Sequence, residues 1–331
     1  MKYSREKAGL NRFMKNTDYS SAKLYSIEEI NAAAISNPEA LVASSDINFR
    51  NEISCAVDEI LKRSEHGGVI MLSGPSSAGK TTTSMMLRHM LNEKGRAAVK
   101  ISLDDFFIAA DETPFDERGR RDFESLRALN LEEVRRCLLS LTETGECDMP
   151  KYDFVKKRPA DFRQHIEVEQ NGFVIIEGLH AINPALTSKI KKTSVTKLFL
   201  NIESSVVIDG KTFNGQTLRM LRRLVRDTSY RSINAEKCLE LWDSVVQGER
   251  VNILPFVGSS DIIIDSFHES ELGIIGCRAI PILLSVPEGS EHYDKAQRLA
   301  TALRSVQCVD ASLLDPKSLL TEFVGGGSYE Y

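Results

Sequence analysis

The chain has 331 residues, 42 basic against 47 acidic side chains, and a formal net charge of −5. At 42% hydrophobic and 27% charged it reads as an ordinary globular protein, long enough for one large α/β domain with appendages or for two domains. No apolar run approaches the about 18 residues that a membrane span needs, and the slight acidity argues against a dedicated nucleic-acid coat, which requires a basic surface.

Residues 1–50 are polar and weakly patterned, with a helix expected near Ile27–Ala34. The charged amino terminus lacks the apolar core of a secretion signal, so the expected compartment is the cytoplasm. Ile53, Ala56, Val57, Ile60 and Leu61 recur at helical spacing. Gly67-Gly68 ends that helix, and Val69–Leu72 is a continuous apolar run of the kind found in a buried parallel strand. The next helix places Met86, Leu87, Met90 and Leu91 on one face and closes at Gly95. Further strands are expected at Ala97–Ile101, Phe173–Ile176, Lys197–Ile202 and Ile262–Ile264, with helices around 131–141, 216–229 and 235–247. Strands alternating with helices predict an α/β fold, a parallel sheet covered on both faces. The tail beyond about 270 reads as mostly helical and ends in a loose Gly325-Gly326-Gly327 stretch. The expected division is an amino-terminal extension over 1–64, a core over 65–270 and a carboxy-terminal extension over 271–331. The six cysteines lie far apart without a C-x-x-C pair, which argues against a zinc ribbon or a disulfide framework and predicts buried or incidental thiols.

The sharpest signal is Gly74-Pro-Ser76-Ser77-Ala78-Gly79-Lys80-Thr81, a G-x-x-x-x-G-K-[ST] string between an apolar strand and an amphipathic helix. Glycines let backbone N–H groups turn inward around an anion, and the helix start adds positive potential. Lys80 would reach the outer phosphates of a nucleoside triphosphate and Thr81 would offer a hydroxyl to Mg²⁺. The second strand runs into Asp104-Asp105, which places carboxylates at the sheet edge where open α/β folds bind ligands. Such a carboxylate can take the proton of an attacking hydroxyl. Glu177 follows the third apolar strand and is placed to hold Mg²⁺ through water, or to cap a helix. Arg219, Arg222, Arg223 and Arg226 recur at helical spacing and Arg231 follows, which reads as a solvated face or as a lid closing over phosphates.

Taken in order, GPSSAGKTT, SLDDFF, DFESL, MPKYDF, VIIEG and RRLVRD resemble the uridine kinase/phosphoribulokinase family of P-loop kinases over about residues 65–270. TPFDERGRRDFESL, LELWDSVVQGER, ILPF and LLTEFVGGGSYEY are similar to a bacterial uridine-kinase-like branch that often carries domains shared with threonyl-tRNA synthetase; here only a short extension precedes the kinase, so such domains are expected to be missing or vestigial. The resemblance implies a P-loop NTPase fold with ATP and Mg²⁺ as cofactors. Asp104 would be the catalytic base, acting with Lys80 and Arg226. The nucleotide would be held by Gly74, Ser76, Ser77, Ala78, Gly79, Lys80, Thr81, Thr82, Arg223 and Arg231, and the metal by Thr81 and Glu177. Glu124 would grip ribose hydroxyls, Tyr152 and Phe154 would wall the base, and Asp227 would orient the arginines. Three positions depart from the family pattern: Phe107 stands where tyrosine is usual, Lys157 at the place of a base-reading histidine, and Ser232 where glycine follows the lid arginine. Because hydrogen-bonding sites discriminate strongly, these changes alter the expected acceptor. The sequence thus predicts γ-phosphate transfer from ATP to a small molecule, with the 5′-hydroxyl of a uridine- or cytidine-type nucleoside first. Next comes a sugar phosphate or pantothenate-like alcohol, for which Arg120, Arg121, Lys156, Lys157 and Arg158 are nearby cations. A non-catalytic nucleotide-binding module is the rival from another class. No membrane or nucleic-acid partner is expected, and a homo-oligomer is compatible with the sequence.

Overall fold

The computed structural model describes residues 22–116, 119–188, 190–191 and 195–329. Strand β1 (Leu24–Ser26) leads into α1 (Ile27–Ser36), whose first turn is capped by Ser26, and α2 (Pro38–Arg63), capped by Asn37 with Pro38 at its first position. Proline there forfeits no intrahelical hydrogen bond. Helix α2 therefore starts well ahead of the apolar repeat that announced it. Next come β2 (Gly68–Ser73), α3 (Lys80–Glu93) and β3 (Ala98–Ser102). Helix α4 (Leu131–Glu143) is capped by Asn130 and followed by a hairpin of β4 (Glu146–Asp153) and β5 (Arg158–Glu167). Then follow β6 (Phe173–Glu177), β7 (Val195–Asn201), β8 (Ser205–Ile208) and β9 (Lys211–Phe213). Asn214 and Asn234 cap α5 (Gly215–Tyr230) and α6 (Ala235–Asn252), and β10 (Ile262–Asp265) completes the strands. The tail adds α7 (Cys277–Leu284), α8 (Tyr293–Leu303) and α9 (Thr321–Val324).

The main sheet has the order β10-β7-β2-β6-β3, all parallel. Strand β2 is central; the chain crosses first to the edge strand β3 on one side, fills β6 between them, and then builds β7 and β10 on the other side. The carboxyl end of β2 is therefore the switch point at which such sheets bind ligands. Val69, Met71, Val174 and Ile176 join one hydrophobic layer, whereas Ile70, Leu72, Phe173 and Ile175 join the other. Both faces of these strands are buried, which is why they read as unbroken apolar runs rather than alternating ones. This is the α/β P-loop architecture. The second layer also contains Ile30 and Phe49 of the amino-terminal helices and Leu320 and Phe323 of the tail, so these extensions share the core of the sheet.

Two expectations about the tail are corrected. Cys277 and Cys308 form a disulfide, their Cα atoms 5.7 Å apart; their sequence separation of 31 had hidden the pairing. Cys55, Cys137, Cys147 and Cys238 are free. The glycine stretch is seated rather than loose at its start: Gly325 has φ +82°, and a Cβ there would meet the Tyr230 hydroxyl at 2.2 Å. Among the described residues no helix is long and apolar enough to cross a membrane.

Candidate active site

The loop after β2 is shaped by two glycines. A Cβ at Gly74 would lie 2.3 Å from the Leu200 carbonyl oxygen of β7, so only glycine lets the loop pass. Gly79 takes φ +95°, a left-handed conformation that glycine adopts readily, and starts α3 without a side-chain cap of its own. The first N–H groups of a helix have no intrahelical acceptor, and Gly79 offers them no side chain. Ser77 sits at φ +60° with its hydroxyl buried and unbonded. Lys80 Nζ donates to the Pro75 carbonyl at 3.2 Å, folding back over the loop. A helix start that its own N-cap residue leaves uncapped, a buried hydroxyl and an ammonium together form a cradle suited to phosphate.

Beyond β3, Asp104 and Asp105 part company. Ser102 accepts from the Asp104 N–H and caps the short turn there, so neither carboxylate is spent on capping. Asp105 instead accepts from Lys151 Nζ at 2.7 Å and ties the β4–β5 hairpin to the sheet. Asp104 opens into a cleft of about 270 Å³ lined also by Lys80, Thr81, Phe107, Glu124, Glu177, Arg226 and Arg231. The surrounding walls push its carboxyl above the ordinary range, against the pull of Lys80. Glu177 ends β6 buried at 6% exposure, its nearest cation being Lys100 Nζ at 3.9 Å. Burial and the neighbouring Asp104 charge raise its carboxyl as well. Thr81 and Glu177 supply hard oxygen donors around one space beside Asp104, a pair that fits Mg²⁺.

Helix α5 supplies the arginines and corrects the solvated-face reading. Arg222 is wholly buried, bonding Glu271 at 2.5 Å and the Ser266 carbonyl at 2.7 Å, while Arg219 is buried against Glu249 at 2.6 Å. Only the other side of the row serves the cleft. Asp227, 1% exposed, holds Arg226 at 2.8 Å, Arg223 at 3.2 Å and Arg231 at 3.7 Å, the arrangement expected of it. Arg223 also donates to Ser76 Oγ at 2.9 Å.

Glu124 joins the phosphate cleft to a second one of about 710 Å³, lined by Arg120, Arg121, Arg127 and Arg223. Burial, with Glu249 nearby and Arg223 opposing, pushes its carboxyl up to about 7. Phe107 lines the first cleft and meets Tyr152 edge-on at 5.8 Å. Tyr152 packs on Phe154, which is 61% exposed, and Lys157 lies exposed in the hairpin turn at φ +54°. Tyr152, Phe154 and Lys157 line neither cleft, so the expected base wall is not brought to the cleft lining. His180 and Glu322 line the first cleft although sequence reasoning passed over both. His180 is 4% exposed, and burial lowers its imidazole to about 4, so it is neutral at pH 7. A histidine three residues past Glu177 carries no sequence signal of its own, and Glu322 lies 240 residues from the helix it touches.

The Phosphoribulokinase / Uridine kinase family profile matches residues 69–272. A uridine kinase of Halobacterium salinarum is 26% identical over 197 residues, covering 59% of this chain and 78% of that protein. A uridine kinase of Saccharomyces cerevisiae is 24% identical over 210 residues; the match covers 62% of this chain and spans 38% of the yeast protein's length. Among solved structures, a possible uridine kinase from Bacillus stearothermophilus aligns with TM-score 0.41 at 15% identity, covering 66% of this chain and all of that one.

Proposed function

The chain belongs to the phosphoribulokinase/uridine kinase family, and from that premise we propose that it moves the γ-phosphate of Mg-ATP to a small alcohol, a nucleoside 5′-hydroxyl first. The observation that carries this reading is the meeting of Lys80, Asp104 and Arg226 around one cleft at the switch point of the sheet. The backbone turn at Gly79 and the Lys80 ammonium would bind the outer phosphates, and Ser77 would donate its unbonded hydroxyl to them. When bound, Mg²⁺ supplies charge neutralisation, with Thr81 and Glu177 as its fitting donors. Asp104 accepts the proton of the attacking hydroxyl; its raised affinity for a proton makes it a better base than a free aspartate. Arg226 and Arg231, held from behind by Asp227, stabilise the charge spread over the transferring group. Glu124 accepts hydrogen bonds from acceptor hydroxyls at the junction of the two clefts.

A second reading, transfer to a phosphorylated alcohol, is favoured by Arg120, Arg121 and Arg127 lining the adjoining cleft. Lys156, Lys157 and Arg158, the other cations considered, line neither cleft. Coupled ADP release with Mg-ATP separates the two across nucleosides, ribulose 5-phosphate and pantothenate, with Lys80→Ala as control. A Lys80-dependent signal with one nucleoside supports the first reading, and one with the sugar phosphate supports the second. ATP binding with no acceptor in such a panel counts against a catalytic role.

A further inference from the structure

The carboxy-terminal extension reaches the phosphate cradle. Leu319 covers Gly79, where an added Cβ would meet its Cδ1 at 2.5 Å. Three residues on, Glu322 accepts the backbone N–H of Thr82 at 3.2 Å and the Thr82 hydroxyl at 2.8 Å. Thr82 lies in the first turn of α3, whose N-cap Gly79 has no side chain and which carries no acidic residue of its own in that turn. The anion at this helix start therefore comes from the far end of the chain. A phosphate held at the same helix start would draw on those donors.

We infer that Glu322 is a nucleotide-affinity determinant: its carboxylate stands in for a phosphate at the start of α3 and must leave for the nucleotide to seat fully. The inference rests on the nucleotide-binding reading of the cradle. The backbone around Glu322 is held in place. Leu320 and Phe323 are fully buried, Arg222 lies over the Phe323 ring at 5.2 Å, and the Val324 carbonyl accepts from Tyr230 at 2.5 Å and Arg278 at 3.2 Å. Only the half-buried Glu322 side chain is free to swing. Its charge already acts on Arg231, which is 57% exposed, lines the same cleft and offers it a partner after release. Binding thus exchanges one anion for another at α3 while the tail stays packed.

The test is the affinity of the full chain for Mg-ATP by calorimetry, in the parent, Glu322→Gln, Glu322→Ala and Lys80→Ala, each checked for folding by thermal unfolding. Glu322→Gln keeps the shape and an acceptor oxygen but removes the charge. Both Glu322 variants are expected to bind Mg-ATP about fivefold or more tightly, because a like charge has left the phosphate seat. A residue that merely caps α3 would instead lower the unfolding temperature when replaced and leave affinity unchanged or weaker. That result in both variants, with Lys80→Ala still weakening binding, overturns the Glu322 assignment alone. Absence of Mg-ATP binding in all four proteins overturns it together with the nucleotide reading.

Discussion

Asp104 and Asp105 are chemically identical neighbours that the fold separates by 2.7 Å of ion pairing: Lys151 claims Asp105 and leaves Asp104 facing the cleft. Asp104→Asn should leave Mg-ATP affinity nearly unchanged while lowering turnover at least about 100-fold, since the amide cannot take the hydroxyl proton. Equal turnover would remove Asp104 from the mechanism. Glu124 offers a pH test of its own. With its carboxyl pushed up to about 7, it is mostly protonated at pH 6 and mostly ionised at pH 8. Only the ionised form accepts hydrogen bonds on both oxygens, so KM for the acceptor should fall as pH rises through about 7, while KM for ATP follows a different profile. Glu124→Gln should raise the acceptor KM and flatten this dependence. Asp104 was legible because it follows the end of an apolar strand, and Glu124 because the DFESL string resembles a family motif. His180 and Glu322 were not, because their neighbours are distant in the chain.

At the scale of elements, helix α5 shows how spacing can be read correctly and assigned wrongly. Its arginines do lie on successive turns, but the helix is covered on more than one side. Glu249 of α6 and Glu271 beyond β10 convert half of the row into buried ion pairs. Arg222→Met would leave Glu271 buried without its counter-charge and should cost about 3–5 kcal/mol in urea unfolding. The double variant Arg222→Met/Glu271→Leu should recover part of that loss, because an apolar pair needs no mutual neutralisation. No recovery would place the loss in the hydrogen bonds to Ser266 and Ala78 instead. The β4–β5 hairpin escaped sequence reasoning for a different reason. Strand β5 is exposed along most of its length, so no apolar run or clean alternation marks it.

Across the described residues, the amino-terminal helices and the carboxy-terminal tail converge on the core that the sheet begins. Ser318 donates to Asp46 of α2 at 2.6 Å, Asn31 of α1 donates to the Ser305 carbonyl at 2.7 Å, and the Cys277–Cys308 bridge closes a loop across a sequence separation of 31 in the tail. Cys277→Ser/Cys308→Ser should lower stability by up to about 3–4 kcal/mol through the freed loop entropy of the unfolded chain, measured as a lower denaturant midpoint with catalysis retained. An unchanged midpoint would mean that packing alone fixes the tail. The sequence by itself determined the parallel α/β sheet, the phosphate loop and the order of the acids at the strand ends. Apolar runs and glycine spacing are local properties, written wherever a strand is buried on both faces or a loop must turn around an anion. The tertiary structure alone decided that Arg219 and Arg222 turn into buried ion pairs, that Lys151 takes Asp105, where the tail's cysteines meet, and that Glu322 reaches α3. Each of those depends on a partner far along the chain, and no local pattern encodes a partner's position.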